Sequence, residues 1–280
     1  MSRTNFLYHT EAVGATGYIS LPVYDAMPVQ ASIASAIGAS FGKSRAENVK
    51  HLDYLSIGSI ESQVVSSFSE KDDAYGTLSS VVLEGLNTLH VVTCARMVLR
   101  LTSKHQIQRK KADAGTCECA ERQIESVDPG SFIVHGTHFD DLRIAGHKID
   151  LDLAVGLFSE LSTWDKLNHA YATDASIRKE IDELALYPHI SKDPTQLPVH
   201  NGVFGCTLAR IPKKLPHGLK HAKEQGIYVP HFGTIYPAHF YIMPNQRRIQ
   251  MLHVDLGCSV EGCNSYGNGG ANGSTIPGSS

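Results

Sequence analysis

The most constraining feature of the sequence is the segment 52–101, in which branched apolar side chains alternate with serine, threonine and other small polar residues. Alternation is clearest from Leu52 to Phe68, and two β-branched runs follow at Ser79–Leu83 and Leu89–Thr93. A period of two places alternate side chains on opposite faces of a strand, so that one face is buried while the other meets solvent. We therefore expect antiparallel sheets with one solvated face.

The order of such patterns predicts a mainly β chain with two antiparallel β regions, sandwich or barrel-like, joined by a polar loop and a helical insert. The first β region spans residues 1–102, the polar linker or loop 103–130, and the second β region 131–256. The remaining segment, 257–280, is rich in Gly, Asn and Ser, a composition that cannot form a core alone. It is predicted to be a flexible tail or an extended arm ordered against a neighbour.

The helical insert is predicted at residues 162–187, within the second β region. Ser162-Thr163-Trp164-Asp165 has the Ser/Thr-x-x-acid pattern of a helix start, and Asp174 is a second candidate cap. Pro188 is expected to end this stretch. Upstream of it, Ala145-Gly146 is expected to be the turn of a two-residue hairpin.

The later strands contain a short internal repeat, here called the aromatic echo: Ile227–Phe232 is repeated in similar form at Ile235–Phe240. The echo concentrates aromatic rings on adjacent strands, which suits a carbohydrate or protein contact surface. Core packing is the alternative interpretation, and it fits the phenylalanines better than the tyrosines, whose hydroxyl groups favour a wet margin. Tyr228, Tyr236 and Tyr241 are therefore the predicted ligand-binding residues.

Composition excludes several classes of function. With 25 Lys+Arg against 28 Asp+Glu, the formal net charge is -3, and no basic surface for nucleic-acid backbones or anionic lipids is expected. The 42% hydrophobic and 19% charged content is that of a folded globular chain. No run approaches the roughly 18 apolar residues of a membrane span, so we expect neither a nucleic-acid partner nor a membrane-spanning segment.

The sequence does not determine the cellular compartment of the protein. Tyr8-His9-Thr10-Glu11 stands where a secretory signal would have its apolar run, which favours the cytoplasm. An extracellular or cell-surface location is the alternative, if a signal was removed. The six cysteines do not decide between them. A Cys258–Cys263 disulfide is sterically feasible, but free thiols are the preferred interpretation.

The densest histidine cluster is a candidate metal site. His135, His138 and Asp140 form a two-histidine, one-carboxylate set that would suit non-haem iron or zinc. On a regular strand His135 and His138 point to opposite faces, so joint ligation needs a turn or bulge at Gly136. Exposed or hairpin histidines without a metal are the alternative.

Ser40 lies in a Gly-x-Ser-x-Gly sequence, Gly38 to Gly42, which matches the nucleophile elbow of serine hydrolases. An elbow requires a core strand before the serine and a helix after it, and the flanking residues lack those patterns. The overlapping Gly-Lys-Ser ending at Ser44 is not a phosphate loop, because only three residues separate its glycines where four are required.

Three segments carry a resemblance to a known type of protein: Lys50–Ile60, Ser80–Asn87 and Val91–Ala95. They resemble β-rich repeats in bacterial surface proteins of the choice-of-anchor P type, over about the first third of the chain. The resemblance implies a bacterial origin and a non-enzymatic, surface-associated or assembly role, and it transfers no catalytic residue. The sequence departs from that type in lacking a visible signal peptide and anchor.

Together these features predict a structural or interaction protein. It would self-assemble as a homo-oligomer, bind another protein, or recognise a ligand through its sheet surfaces and C-terminal arm, without catalysis. No cofactor is identified for this role. The rival hypothesis is a metal-dependent enzyme that holds a divalent ion at His135, His138 and Asp140.

Overall fold

The computed structural model describes residues 5–36, 40–109, 124–127, 130–188, 190, 193–257 and 260–276. Strands account for 63% of the chain and helices for 11%, which confirms the expected mainly β class with a small helical insert. Among the described residues, no helix has both the length and the apolar character needed to cross a bilayer.

Nineteen strands and three helices follow one another along the described chain. The strands of the first half are β1 (Asn5–Leu21), β2 (Asp25–Ala36), β3 (Ser40–His51), β4 (Leu55–Ser69), β5 (Ala74–Thr88), β6 (Val92–Arg109), β7 (Ile124–Val127), β8 (Ser131–Val134), β9 (His138–Asp140), β10 (Arg143–Ile144), β11 (His147–Lys148) and β12 (Asp152–Leu153). The helices are α1 (Val155–Glu160), α2 (Trp164–Thr173) and α3 (Ala175–Leu184). The later strands are β13 (Phe204–Thr207), β14 (Ala209–Arg210), β15 (Lys220–Ala222), β16 (Gly226–Val229), β17 (Gly233–Met243), β18 (Gln246–Gly257) and β19 (Glu261–Ile276).

Two large antiparallel sheets form the body of the protein. Sheet A has the order β15-β16-β17-β18-β19-β1-β2, with β13 also paired to β17. Sheet B has the order β11-β10-β6-β5-β4-β3, with β7, β8 and β9 along β6. The sheets pack face to face, since β1, β2 and β19 lie against β4, β5 and β6. The described part is therefore an open-edged sandwich in which neither sheet closes on itself.

The core lies between the sheets and follows the alternation seen in the sequence. On β4, Ile57, Ile60, Ser62 and Val64 are buried, while Ser59, Glu61 and Gln63 are partly exposed. Val81 and Leu83 of β5 face the same interior. The step from Ile57 to Ile60 is three residues because β4 is irregular at Gly58, where its pairing with both neighbouring strands is interrupted.

The C-terminal segment differs from the expected tail. Residues 261–276 form β19, which pairs with β18 on one side and with β1 on the other. The prediction of a flexible tail or an arm ordered by a neighbour was wrong for these residues, because β19 is an internal strand of sheet A. Two of its glycines face sheet B: a Cβ atom on Gly269 would meet Leu99 and Ser79, and one on Gly267 would meet Met97.

The division into a first β region, 1–102, and a second β region, 131–256, stays a prediction. In the structure, each of these two segments contributes strands to both sheets. The first segment supplies β1 and β2 to sheet A and β3 to β6 to sheet B. The polar break begins later than expected, because β6 continues to Arg109 with His105 and Ile107 buried. Residues 110–123 of that break lie outside the described part.

The helical insert begins earlier than expected, with α1 at Val155–Glu160, but a second helix starts within the predicted Ser162–Asp165 segment. Thr163 caps α2 by accepting a hydrogen bond from the Lys166 amide at 3.2 Å. Asp174 caps α3 by accepting from the amide of Ser176 at 2.8 Å and that of Ile177 at 3.2 Å. These caps satisfy amide groups that a helix start leaves unpaired.

The insert connects the two sheets at one side of the sandwich. The ring of Phe158 on α1 meets that of Phe240 on β17 edge to face, with 5.4 Å between centroids. On the sheet B side, the Phe132 amide donates to the Ser162 carbonyl at 2.8 Å.

The hairpin predicted at Ala145-Gly146 is present. Arg143–Ile144 and His147–Lys148 pair across Ala145-Gly146, whose positive φ angles fit a two-residue hairpin turn. The aromatic echo is also a hairpin, because Ile227 of β16 pairs with Ile235 of β17.

Candidate functional site

A groove at one end of the sandwich, here called the loop-end groove, is the candidate site. It has a volume of about 610 Å³. Val260 contributes to it from the connection between β18 and β19, and three further connections build the rest: the link between β1 and β2, the turn between β3 and β4, and the turn between β5 and β6. The latter two are tied together, because the Leu89 amide donates to the Tyr54 carbonyl at 2.7 Å. Its lining consists of Ile19, Pro22, Val23, Tyr24, Asp25, Leu52, Asp53, Tyr54, Leu89 and Val260.

The rim of the groove carries large apolar side chains at positions where turns usually carry polar ones. Val23 is 72% exposed, Tyr24 70% and Leu52 61%. Leu52 has a positive φ of 47°, which is an uncommon backbone conformation for a branched residue. This turn conformation leaves the Leu52 side chain exposed to solvent. A contiguous exposed apolar surface of this kind marks binding sites.

Beneath the surface of the groove, two buried polar atoms of the turn between β3 and β4 and its preceding residue have no hydrogen-bond partner among the described residues. Tyr54 is 4% exposed, and its hydroxyl has no hydrogen-bond partner among the described residues. His51 packs edge to face on Tyr54, with 5.2 Å between ring centroids. Its Nε2 lies 3.4 Å from Asp25 Oδ2 but makes no hydrogen bond in the described structure. Each such buried atom costs about 1–3 kcal/mol.

The electrostatic character of the groove is acidic. Asp25 and Asp53 line it, and its described lining contains no lysine or arginine. Burial, with a further contribution from the Asp25 charge, raises the pKa of Tyr54 to about 12. The Tyr54 phenol is therefore neutral at physiological pH.

The predicted aromatic residues lie elsewhere, on the outer face of sheet A. Tyr236 and Tyr241 of β17 flank His239, with ring centroids 5.3 Å and 6.2 Å away. Tyr236 also lies 5.6 Å from the ring of His253. Tyr228, on β16, is 40% exposed. The structure thus groups two of the three tyrosines, and their role in ligand binding stays a prediction.

His239 is the buried centre of this aromatic group. It is 4% exposed, and its Nε2 donates to the Glu224 carbonyl at 3.1 Å. Burial lowers the pKa of His239 to about 4, so the ring is neutral near pH 7. In the β17–β18 register, His239 lies opposite Gln250 and His253 lies opposite Tyr236.

The His135 segment does not gather three ligands. His138 Nε2 lies 3.4 Å from Asp140 Oδ2, and both side chains are about half exposed. The His138 Nδ1 bonds the Gly136 carbonyl at 2.9 Å. Among the described residues, three different metal-ligating side chains come together at one place, which is His253, Asp255 and Cys263. The expected metal site at His135, His138 and Asp140 therefore gains no geometric support.

Ser40 is not a nucleophile elbow. It begins β3 and its hydroxyl is hydrogen-bonded with Ser35 and thereby linked to Ser66. A strand follows it where an elbow requires a helix, so the hydrolase interpretation was wrong. Gly38 lies outside the described residues.

Sequence reasoning missed the groove residues, although a signal was present. Pro22-Val23-Tyr24 and Leu52-Asp53-Tyr54 both place large apolar residues beside an acid in a connection between strands. Such composition is unusual for a turn, which ordinarily favours Gly, Asn, Asp and Ser.

Fold and site define the class: an antiparallel β-sandwich with an apolar, acidic groove formed by its loops. The chain belongs to the family described as "Domain of unknown function (DUF8256)", whose model matches residues 6–243. No curated protein and no solved structure matches the chain.

Proposed function

We propose that the protein is a ligand-recognising interaction module that binds a small organic cation with an apolar body in the loop-end groove. The observation that carries this proposal is the groove of about 610 Å³, whose lining places Asp25 and Asp53 beside exposed apolar side chains. Small-molecule sites combine an apolar lining with a few convergent polar groups and occupy about 300–1,000 Å³.

The lining chemistry selects the ligand. Asp25 and Asp53 favour a positively charged head group, such as an ammonium. Tyr24, 70% exposed, offers a ring face to the same cation. Val23, Leu52 and Leu89 suit an aliphatic or aromatic body.

Strand addition between copies, the other route of interaction expected from the sequence, has less support. The outer strand of sheet B is β3, and it carries charged side chains along its length. Lys43 pairs with Glu61 at 2.8 Å, and Arg45 with Glu47 at 2.6 Å. Charged edges oppose edge-to-edge pairing. Self-assembly and the bacterial surface role implied by the resemblance remain proposals without a structural argument of their own.

Isothermal titration calorimetry with three matched probes tests the proposal: 4-phenylbutylammonium, its neutral alcohol and its carboxylate. We expect the ammonium to bind, the alcohol to bind more weakly and the carboxylate not to bind. Asp25→Asn and Asp53→Asn should each weaken the ammonium by about tenfold or more, because each removes a counter-charge. Asp150→Asn is the control, since Asp150 is a solvent-exposed partner of Lys148 and does not line the groove. Equal binding of the carboxylate, or no binding of the ammonium, would refute the proposed ligand class.

A further inference from the structure

Outside the groove, three metal-ligating side chains converge on the outer face of sheet A. His253 and Asp255 stand two positions apart on β18 and so share a face. Cys263 on β19 is the direct register partner of Asp255. The β18–β19 pairing thus brings an imidazole, a carboxylate and a thiol to one place, with all three ligand atoms within 4.8 Å of one another.

Their separations match those of a metal coordination shell. His253 Nε2 lies 2.9 Å from Asp255 Oδ1 and 3.8 Å from Cys263 Sγ. Zinc binds sulfur at about 2.3 Å and nitrogen at about 2.0–2.1 Å. Tetrahedral geometry with these bond lengths places sulfur and nitrogen about 3.6 Å apart. The sulfur–nitrogen separation is therefore within about 0.2 Å of that for a shared zinc ion, whereas the nitrogen–oxygen separation would widen by about 0.5 Å, to about 3.4 Å.

The surroundings hold these ligands in place while leaving access. All three residues are partly buried. β18 and β19 are internal strands of sheet A, which restrains the backbone, and the Tyr236 ring covers one side of His253 at 5.6 Å. Cys263 is a free thiol, so it is available as a ligand.

The donor set discriminates between metals. Calcium and magnesium prefer oxygen ligands, whereas a thiol with an imidazole suits zinc and similar borderline ions. Three protein ligands leave a fourth position for water or an exogenous group, as in open zinc sites.

We propose that His253, Asp255 and Cys263 form a site for Zn²⁺ or a similar borderline divalent cation. The site is separate from the loop-end groove, and neither proposal depends on the other.

Calorimetric titration of the EDTA-treated full-length chain with ZnCl₂ is the first test. We expect one zinc ion per chain in the wild type, and loss of stoichiometric binding in both His253→Gln and Cys263→Ser. His138→Gln is the matched control, because His138 also lies beside an aspartate but has no thiol in a three-ligand group. It should bind zinc as the wild type does. Absence of stoichiometric zinc binding in the wild type overturns the proposal.

Cobalt substitution tests the thiol ligand directly. Co²⁺ bound through Cys263 should give a thiolate-to-cobalt charge-transfer band, which Cys263→Ser should remove and His138→Gln should retain. Far-ultraviolet circular dichroism checks that each variant is folded. Persistence of the band in a folded Cys263→Ser chain assigns it to another cysteine and overturns the site. If the Cys263→Ser chain fails to fold, the wild-type spectrum still decides, since a cobalt complex without a thiolate band is incompatible with the proposed ligands.

Discussion

Gly269 of β19 lies against Leu99 of β6 so closely that a Cβ atom on Gly269 would lie 2.5 Å from Leu99 Cδ2. The same atom would lie 2.7 Å from Ser79 Oγ. No side chain fits at this position without movement of sheet B, which makes Gly269 a packing residue of the core.

Substitution of Gly269 is therefore expected to destabilise the fold. Gly269→Ala should lower the free energy of unfolding by about 1–3 kcal/mol through overpacking, and Gly269→Val by more. Urea denaturation measures the change. Gly156→Ala serves as control, because no atom lies within 4 Å of a Cβ at that position of α1. If the strain comes from Leu99, Gly269→Ala combined with Leu99→Ala should be less destabilised than the two single changes added together. Strict additivity would contradict this contact.

Deletion of Glu261–Ile276 is expected to abolish the native fold. The deletion removes β19 from between β18 and β1, exposing the paired edge of each. It also uncovers core residues of sheet B such as Leu99. Cooperative thermal unfolding, followed by near-ultraviolet circular dichroism, should disappear. A truncated chain that keeps its cooperative transition would show that these residues contribute little to the core.

Acidification is expected to destabilise the protein through His239. The pKa of His239 in the folded chain is about 4, below the ordinary value of 6.5. Between pH 6.5 and pH 4, His239 is therefore protonated in the unfolded chain but neutral in the folded chain. The contribution of His239 is fully present above pH 6.5 and is lost as the pH falls towards 4, by up to about 3 kcal/mol. Urea denaturation between pH 7 and 4 should show a shallower decline in His239→Gln than in the wild type. His169, which is exposed, is the control position. A parallel decline in the wild type and in His239→Gln would disprove the assignment of this pH dependence to His239.

Tyr54→Phe should separate stability from binding. The hydroxyl is buried without a described partner, so its removal should raise the free energy of unfolding by about 1 kcal/mol. The same change should leave the binding of 4-phenylbutylammonium within about twofold of the wild type, because the hydroxyl is shielded from solvent and this ligand carries no acceptor for it. Denaturation and calorimetry on one preparation measure both effects. A Tyr54→Phe chain less stable than the wild type would indicate that the hydroxyl stabilises the native state.

Local features could be predicted from the sequence, because their causes lie within a few residues. The cap at Asp174 and the turn at Ala145-Gly146 depend on near neighbours, and both were correct; the helix start at Ser162–Asp165 was also found, with Thr163 in place of Ser162 as its cap. The mainly β class followed in the same way from the alternation in β4 and β5.

The sites could not be predicted, because they depend on contacts between distant segments. Asp25 and Tyr54 meet in the groove only because two strand connections come together at one end of the sandwich. Cys263 meets Asp255 only through the β18–β19 register. β19 itself was taken for a tail because its glycines, needed for close approach of the sheets, give it the composition of a linker.

The pairing of β1 with β19 joins Asn5 to Ile276. On a ribosome that adds about 5–20 residues per second, the partner of β1 appears only some 10–50 s after β1 itself. Throughout that interval the nascent chain exposes one unpaired edge of an apolar strand, which is a template for association with neighbouring chains. Sheet A is completed only as the last strand emerges, so we expect the yield of soluble protein to depend on chaperone supply and on the speed of translation.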